Sequence, residues 1–406
     1  MSSPPTTGFD VVIVGGGMVG ASLALALTAT RLRVALIEAV AADSPEQPSF
    51  DDRSTALGNG ARRILQTLGV WDEIAANAAP IREIHVSDAG RFGFARLCAA
   101  DHGLSAFGFV VSNRTLGAAL WRALTEAGRV SVLRPARVSS VEPGAQATAL
   151  TVLPGEQRIQ ARLLVAADGA HSLIKQAVGV NSQQRSYQQL AVVANLTTDR
   201  AARGIAYERF TERGPIALLP RFDGGYTVVW SAPADGAAAL CDGDEQLFGR
   251  ELQQAFGWRA GRILTVGRRA TYPLSLVQAE TVVRGRVALI GNAAQSLHPV
   301  AAQGFNLGLR DVATLAELIA AAEDPGAEAT LQDYERRRST DRRGMVTFTD
   351  SLVKLFTTRR AAASTLRDLG LLLFDLSPVA KQALSRLSWG FGGALPRLSR
   401  GLTLLQ

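Results

Sequence analysis

The chain has 406 residues, 47% of them hydrophobic, and a formal net charge of +7. This length and composition allow a large buried core and suggest two or three domains. The positive charge comes almost entirely from arginine, without a nucleic-acid-binding motif, basic and aromatic residues in alternation, or a long lysine run. We therefore expect no nucleic-acid partner and favour contact with an anionic membrane surface.

The cysteines, the histidines and the N-terminal residues also restrict the class of protein. Cys98 and Cys241 form no CxxC motif, which is typical of a reducing compartment without a disulfide framework. We predict no metal, because metal-ligand spacing is absent from the histidines, His85, His102, His171 and His298. The first residues lack a secretory signal, and no apolar run reaches the roughly 18 residues that span a bilayer. We expect a cytoplasmic protein, peripheral on the inner face of the cell membrane.

The N-terminal segment has the pattern of a dinucleotide-binding βαβ unit. An apolar strand is followed by GGGMVG at 15–20, a helix of small residues and a second strand that ends at Glu38. Gly15 allows a tight turn, Gly17 lets the backbone approach a pyrophosphate, and Gly20 lets helix and strand pack closely. Glu38 can bind ribose hydroxyls. The pattern predicts a dinucleotide site without separating FAD from NAD.

The next segments place two arginines near this site. DDRSTAL at 51–57 leads into a helix, and Arg53 would approach the nucleotide if the preceding loop folds back. A surface salt bridge with a neighbouring aspartate is the alternative for Arg53. Ile81–Ser87 is predicted as a strand, and Ser112 or Asn113 can cap a helix from Arg114 to about residue 127.

Two later strands also end in polar, glycine-containing loops. Arg162–Ala167 is followed by Asp168, and Val287–Ile290 is followed by Gly291 and Asn292. A helix predicted to begin near 303–305 would direct its free N–H groups and its positive dipole end into the second loop. Three such loops at strand ends, one with a dinucleotide fingerprint, favour one large shared ligand.

Between these loops the pattern changes from alternating strands and helices to strands alone. These strands are predicted at Tyr187–Leu196, Ile205–Phe210, Ile216–Leu219 and Tyr226–Ser231, before a helix at Asp242–Phe256 and a strand at Arg269–Leu274. We predict an α/β fold, a Rossmann-like nucleotide-binding domain with an inserted β-sheet substrate domain and a helical C-terminal region. The predicted boundaries are 1–180 for its first part, with a short excursion into the substrate domain near 81–108, then 181–275, 276–345 and 346–406.

The C-terminal part is predicted to be helical and basic. Its arginines are Arg336, Arg337, Arg338, Arg342 and Arg343. The default prediction for them is a solvated helix face. The apolar tail that follows suggests three alternatives: a helical pair that caps the core, a partner surface, or a face that lies on a membrane.

Four motifs in this order resemble the single-component FAD-dependent aromatic hydroxylases, in the branch that hydroxylates ubiquinone precursors. They are GGGMVG at 15–20, DDRSTAL at 51–57, AADGAHS at 166–172 and GNAAQSLHPVAAQGFNLGLRDV at 291–312. The resemblance covers nearly the whole chain, but the family usually has Gly-Asp where this chain has Gly291 and Asn292. An amide oxygen accepts a hydrogen bond as a carboxylate does. We therefore expect FAD binding to survive, with one negative charge fewer beside the flavin.

The resemblance implies FAD as the cofactor, NAD(P)H as co-substrate, and a role for each matching residue. Toward FAD these are Gly15, Gly17 and Gly20 at the pyrophosphate, Glu38 at the adenosine ribose, Arg53 and Arg114 along the nucleotide, Asp168 in the second loop, Gly291 and Asn292 at the ribitol, and Gly304, Phe305 and Asn306 at the isoalloxazine. The catalytic candidates beside the substrate or the flavin edge are His298, Gln303 and Gly304. A structural role is the alternative for His298.

The implied activity is that of a flavoprotein monooxygenase, which uses O2 to hydroxylate a polyprenyl phenol, 2-polyprenyl-6-methoxyphenol. Two alternatives remain: hydroxylation of another ring carbon in the same pathway, and a non-catalytic flavin-binding scaffold of a quinone-synthesis complex. Two-nucleotide disulfide reductases are disfavoured, because the sequence has no second GxGxxG and no CxxC. The implied partners are the phenol, O2, other ubiquinone-biosynthesis proteins and the membrane surface.

Overall fold

The structure, a computed structural model, describes residues 7–42, 44, 53–90, 94–296, 304–357 and 395–404, with the backbone alone for 345–357. The described strands are β1 Thr7–Val14, β2 Val34–Ile37, β3 Ser54–Gly58, β4 Ala79–Ile81, β5 Glu83–Asp88, β6 Phe94–Cys98, β7 Gly108–Ser112, β8 Val130–Leu133, β9 Arg137–Glu142, β10 Thr148–Leu153, β11 Gln157–Ala166, β12 Ser182–Thr198, β13 Ile205–Phe210, β14 Ile216–Pro220, β15 Tyr226–Pro233, β16 Ile263–Val266, β17 Ala270–Ala279, β18 Val283–Arg284, β19 Val287–Leu289 and β20 Gln295–Ser296. The described α-helices are α1 Met18–Leu27, α2 Asn59–Thr67, α3 Trp71–Ala75, α4 Asn113–Ala127, α5 Leu173–Ala177, α6 Ala234–Asp242, α7 Glu245–Phe256, α8 Gly304–Ala321 and α9 Glu328–Thr357.

The first sheet has the strand order β18-β19-β11-β1-β2-β8, and β10 and β9 extend from β11. The pairs from β19 to β8 are parallel. The apolar runs of β1, β2, β11 and β19 are buried on both faces, as expected for a parallel sheet covered by helices. Helix α1 packs against both α4 and α8. The α/β fold with a Rossmann-like sheet, predicted from the sequence, is confirmed.

The second sheet has the order β20-β17-β12-β15-β14-β13-β5-β6, with β16 on β12. One face packs against α6 and α7, and its buried residues in β15 include Tyr226, Val228 and Trp230. Because side chains alternate along a strand, Thr227, Val229 and Ser231 lie on the opposite face, which we call the inner face. This sheet is formed by strands that are distant along the chain, since β5 and β6 come before β11 of the first sheet and its other strands come after β11.

A small third sheet, β3-β7-β4, connects the two large ones. The hydroxyls of Ser54 on β3 and Thr227 on the inner face are 3.0 Å apart and share a hydrogen bond. The start of α8 bonds the same strand, because Asn306 Nδ2 donates to the carbonyl of Ala56 over 2.8 Å. The third sheet therefore holds the inner face beside the first sheet and α8.

Two sequence predictions differ from the structure. The helix predicted at Asp242–Phe256 is present but begins later, at Glu245, because the side chain of Asp244 caps it by accepting a hydrogen bond from Leu247 N over 2.5 Å. The solvated arginine face is wrong for Arg338 and Arg342, which are 3% and 5% exposed. They continue the buried stripe of α9 rather than its solvent side.

Helix α9 also runs without interruption through the boundary predicted between 345 and 346. In the part of the chain that the structure describes, no helix combines the length and the apolarity needed to cross a membrane.

Candidate active site

The glycine-rich loop after β1 is shaped by contacts that exclude side chains. Gly15 has φ +102°, and a Cβ there would lie 2.5 Å from the carbonyl oxygen of Ala167. A Cβ on Gly20 would lie 1.9 Å from the carbonyl oxygen of Gly15. Gly17 precedes α1, and within the described residues no side chain caps the helix there. The first-turn N–H groups of α1 are therefore available to a phosphate, with glycine in front of them.

Glu38, at the end of β2, is held in place beside this loop. It is 6% exposed, and its Oε2 and Oε1 accept backbone hydrogen bonds from Gly16 over 2.5 Å and Val40 over 2.8 Å. Each carboxylate oxygen has a further lone pair, so the group can also accept a bond from a ribose hydroxyl.

Two residues that the sequence analysis missed frame the same corner. Trp121 Nε1 donates to the carbonyl of Gly16 over 2.9 Å, and the guanidinium of Arg134 lies 4.3 Å from the centre of the Trp121 ring. Arg134 also donates to the carbonyl of Val40 over 2.6 Å. Both residues come from segments far along the chain, and neither carries a motif, so no local signal identified them.

Arg53 and Arg114 are brought together by the pairing of β3 with β7. The backbone N–H of Asn113 donates to the carbonyl of Arg53 over 2.8 Å, and Arg114 follows in the first turn of α4 with an exposed side chain. The guanidinium of Arg53 lies 4.4 Å from the ring centre of Tyr272, on β17 of the second sheet. Arg53 therefore lies where the two large sheets meet. The aspartates of its alternative salt bridge lie outside the described residues.

Asp168 follows β11 and caps α5. Its Oδ2 accepts backbone hydrogen bonds from Leu173 over 2.8 Å and Ile174 over 3.3 Å. Burial raises the pKa of the Asp168 carboxyl above its usual range, although these bonds and Ser172 act in the opposite direction. Its Oδ1 is buried and has no hydrogen-bond partner in the described part of the chain. A buried, unsatisfied acceptor is suited to a ligand hydroxyl.

The third loop, at Gly291 and Asn292, follows β19. Gly291 has φ +59°, and a Cβ there would lie 3.1 Å from the side chain of Val19 on α1. Its N–H donates to Asp311 Oδ2 over 3.0 Å, while Asn292 is exposed on the turn. This contact with α1 places the third loop directly beside the first.

Asp311 anchors this loop, a role that the sequence did not predict. It is fully buried, and the same Oδ2 accepts a hydrogen bond from Gln295 Nε2 over 3.0 Å. Its Oδ1 accepts a bond from Arg338 Nε over 2.7 Å. Burial lowers the pKa of Arg338, but the carboxylates of Asp311 and Asp341 outweigh it and raise the pKa. Arg338 is therefore a fixed cation behind the loop.

The first turn of α8 lies beside β3. Gly304 and Phe305 are partly buried there, and Asn306 is 6% exposed. The Asn306 side chain bridges β3, since its Oδ1 accepts a bond from Gly58 N over 2.8 Å while its Nδ2 binds Ala56. The catalytic candidates His298 and Gln303 lie outside the described residues.

Together these loops define the binding site of a dinucleotide-binding protein. They lie at the carboxyl ends of β1, β11 and β19, which are neighbours in the parallel sheet. The uncapped start of α1, the glycine cradle and the free Oδ1 of Asp168 fit the pyrophosphate and hydroxyl groups of a dinucleotide. The first turn of α8 faces the junction with the second sheet, where a ring could meet a substrate.

The comparisons with known proteins give the same class. Residues 8–349 match the family model described as FAD binding domain. The chain is 36% identical to the ubiquinone hydroxylase UbiL of Rhodospirillum rubrum over 97% of this chain and 93% of that protein. It is 31% identical to the human mitochondrial ubiquinone biosynthesis monooxygenase COQ6, covering 93% and 92%. It is 30% identical to the 3-demethoxyubiquinol 3-hydroxylase of Escherichia coli K12, covering 94% and 98%.

Solved structures share the fold. The p-nitrophenol 4-monooxygenase PnpA of Pseudomonas putida superimposes with a TM-score of 0.79 at 19% identity, over 96% of this chain and 99% of that one. HpxO of Klebsiella pneumoniae, solved with FAD and uric acid, has a TM-score of 0.75 at 19% identity, covering 96% and 98%.

The chain belongs to the FAD-binding-domain family and, within it, to the FAD-dependent hydroxylases of ubiquinone biosynthesis. The family resemblance and the monooxygenase class predicted from the sequence are confirmed, with FAD as cofactor and NAD(P)H as co-substrate.

Proposed function

We propose that this protein hydroxylates the aromatic ring of a polyprenyl phenol in ubiquinone biosynthesis, with 2-polyprenyl-6-methoxyphenol as its substrate. The balanced reaction converts the phenol, O2, NAD(P)H and a proton into the hydroxylated phenol, NAD(P)+ and water. The observation that carries the proposal is the junction of the first turn of α8 with the inner face, tied by Asn306 to β3 and by Ser54 to Thr227. The names of the full-length relatives support the pathway.

The residues of the three loops would hold the cofactor in distinct ways. The uncapped start of α1 would bind the pyrophosphate, Glu38 the adenosine ribose, and the Asn292 loop the ribitol. Bound FAD supplies hydride acceptance from NAD(P)H and the activation of O2. The protein's part is to orient the phenol against the ring and to exclude water, because a wet site releases hydrogen peroxide without hydroxylation.

A second candidate is hydroxylation at another ring carbon of the same pathway. The name of the Escherichia coli relative, 3-demethoxyubiquinol 3-hydroxylase, favours it. The loops that hold FAD are common to both candidates, and the position of the phenol against the inner face would decide between them. The non-catalytic flavin-binding scaffold is disfavoured, because the full-length relatives named above are hydroxylases or monooxygenases.

The test is a mass-spectrometric profile of quinone-pathway lipids in cells whose sole copy of the gene encodes Gly17→Arg. An arginine before α1 should block the pyrophosphate. The matched control is Gly236→Arg on α6, where an added Cβ meets no atom of the described residues within 4 Å. Protein abundance is measured for both variants.

We expect 2-polyprenyl-6-methoxyphenol to accumulate in the Gly17→Arg cells alone, with the protein still present. Accumulation of a different phenol would favour the second candidate. Normal ubiquinone with normal protein abundance would contradict an enzymatic role and favour the scaffold.

We also infer peripheral contact with the membrane and with other ubiquinone-biosynthesis proteins, because a polyprenyl substrate partitions into lipid. In the arginine-rich segment Arg336, Arg337 and Arg343 are exposed, although Arg336 and Arg337 also pair with Asp333 and Glu317. The apolar tail lies outside the described residues. The test is co-sedimentation with anionic liposomes. Binding at low salt that weakens at high salt is expected; failure to bind at low salt would contradict the inference.

A further inference from the structure

Glu208 lies on the inner face of the second sheet. Its neighbour Tyr207 lies on the other face, where its ring centre is 5.5 Å from that of Phe256 on α7. Because the side chains of neighbouring residues lie on opposite faces of a strand, the Glu208 side chain lies on the inner face. In register it is paired with Val86 on β5 and Ala217 on β14, both apolar. A carboxyl group is thus placed in an apolar part of the sheet that faces the FAD-binding domain.

The Glu208 side chain is deep in the protein and still partly accessible. Within the described residues it forms no hydrogen bond or ion pair, and burial alone raises its pKa to about 7. An unpartnered buried carboxyl is unfavourable for stability, and such groups concentrate at functional sites.

The apolar cluster beside Glu208 reaches the flavin-side helix. Ala206, on the same face of β13, packs with Phe107 and Val110 in a cluster that includes Ala56 of β3. The carbonyl of Ala56 accepts the bond from Asn306 in the first turn of α8. An apolar cluster therefore extends from Ala206, two residues before Glu208 on the same face, to the strand that the start of α8 contacts, and an apolar region of this kind suits a methoxyphenol ring.

Other titratable groups approach this region without bonding to Glu208. Asp88 on β5 is paired with Phe210, which follows Glu208 by two residues on the same face of β13. His102 lies against Phe107, with 5.7 Å between ring centres. Arg53 and Tyr272 lie at the opposite end of the face. Among the described residues, none of these shifts the pKa of Glu208, since burial is its cause.

We propose that Glu208 is the acid–base residue of the hydroxylation, contacting the phenolic hydroxyl of the substrate and taking its proton. This inference rests on the proposed function. The O–H bond of the phenol breaks, the proton passes to the Glu208 carboxylate, and the electron pair stays on the phenolate oxygen, which makes the ring more electron-rich. After the oxygen atom enters and the ring loses its hydrogen as a proton, Glu208 returns a proton to the phenolic oxygen. Glu208 itself is neither oxidised nor reduced.

The experiment compares wild type with Glu208→Gln, which keeps the shape of the side chain but cannot take the proton. Glu212→Gln is the matched control, since Glu212 is exposed between β13 and β14. The FAD-loaded proteins receive NAD(P)H, O2 and a 2-prenyl-6-methoxyphenol with a short side chain. Product formation, NAD(P)H oxidation and hydrogen peroxide are measured from pH 5.5 to 9.

For wild type and the control, we expect kcat for hydroxylation to rise as Glu208 loses its proton near pH 7 and then to level off. In Glu208→Gln we expect kcat to fall at least about 100-fold and this rise to disappear, while FAD content stays unchanged and hydrogen peroxide replaces the product. Glu208→Asp should retain the rise with a lower kcat. If Glu208→Gln loses FAD, the pH profile of Glu208→Asp decides.

Hydroxylation by Glu208→Gln with the wild-type rate and pH profile would overturn the role of Glu208 and leave the proposed function intact. A Glu208→Asp variant without the pH-dependent rise would overturn it as well. If wild type hydroxylates no phenol at any pH, the proposed function itself fails, and this inference fails with it.

Discussion

Replacing Arg338 with methionine should destabilise the protein and weaken FAD binding together. Arg338 is buried, and its Nε donates to Asp311 Oδ1 over 2.7 Å. The same Asp311 holds the N–H of Gly291 at the third loop. Methionine preserves most of the side-chain volume but leaves the Asp311 carboxylate without its cation. Removing one partner of a buried ion pair costs about 3–5 kcal/mol, because the remaining charge stays buried and unpaired.

The matched control is Arg337→Met. Arg337 has a 41% exposed side chain and pairs with Glu317 over 3.2 Å, and an exposed pair of this kind contributes about 0–1 kcal/mol. Denaturant unfolding gives the free energy for each variant, and fluorescence titration gives the Kd for FAD. Adding Asp311→Asn to Arg338→Met should recover part of the loss, because it removes the unpaired charge. Equal unfolding free energies and FAD affinities for Arg338→Met and Arg337→Met would refute this account of the loop.

Three further predictions concern single positions. Burial raises the pKa of Glu208 from its ordinary 4.5 to about 7, so stability is lost as pH rises between these values. Glu208→Gln should therefore be more stable than wild type by up to about 3 kcal/mol at pH 8 and no more stable at pH 4. Denaturant unfolding at both pH values measures this. The same difference in unfolding free energy at pH 8 and at pH 4 would contradict the prediction. Gly20→Ala should lose FAD, because its Cβ would lie 1.9 Å from the carbonyl oxygen of Gly15, whereas Gly236→Ala should keep FAD. Flavin absorbance of the two purified proteins measures this. FAD retained in Gly20→Ala would refute the close packing. Asn292→Asp adds a negative charge beside the flavin and should lower the reduction potential of the bound FAD, measured by spectroscopic redox titration. An unchanged or higher potential would contradict the placement of Asn292 beside the flavin.

The sequence was sufficient for features that depend on local chemistry. The first βαβ unit was predictable, because Gly15 and Gly20 are required by backbone contacts within a short stretch. The Ser112 cap of α4 followed the same logic, and its side chain accepts a bond from Thr115 N. Periodicity also separated the parallel sheet from the run of strands in the second sheet.

The remaining site residues depend on contacts between distant segments. The corner formed by Trp121 and Arg134, and the bond from Arg338 to Asp311, have no local pattern. The inner-face position of Glu208 depends on which side of the sheet α6 and α7 cover, which residue alternation alone does not decide.

The arginine-rich segment did contain an unused signal. Leu331 and Tyr334 are fully buried, and the same helical face continues through Arg338 and Arg342. A positively charged residue on the apolar stripe of a helix indicates a buried partner, and Asp311 is that partner for Arg338.

The most direct test of the central claim uses purified, FAD-loaded protein with NAD(P)H, a short-chain 2-prenyl-6-methoxyphenol and 18O2. If the protein is a phenol hydroxylase of this pathway, the phenol will stimulate NAD(P)H oxidation, and mass spectrometry will find one 18O atom in the hydroxylated product. If NAD(P)H oxidation is independent of the phenol and no labelled product forms, the proposed function is contradicted.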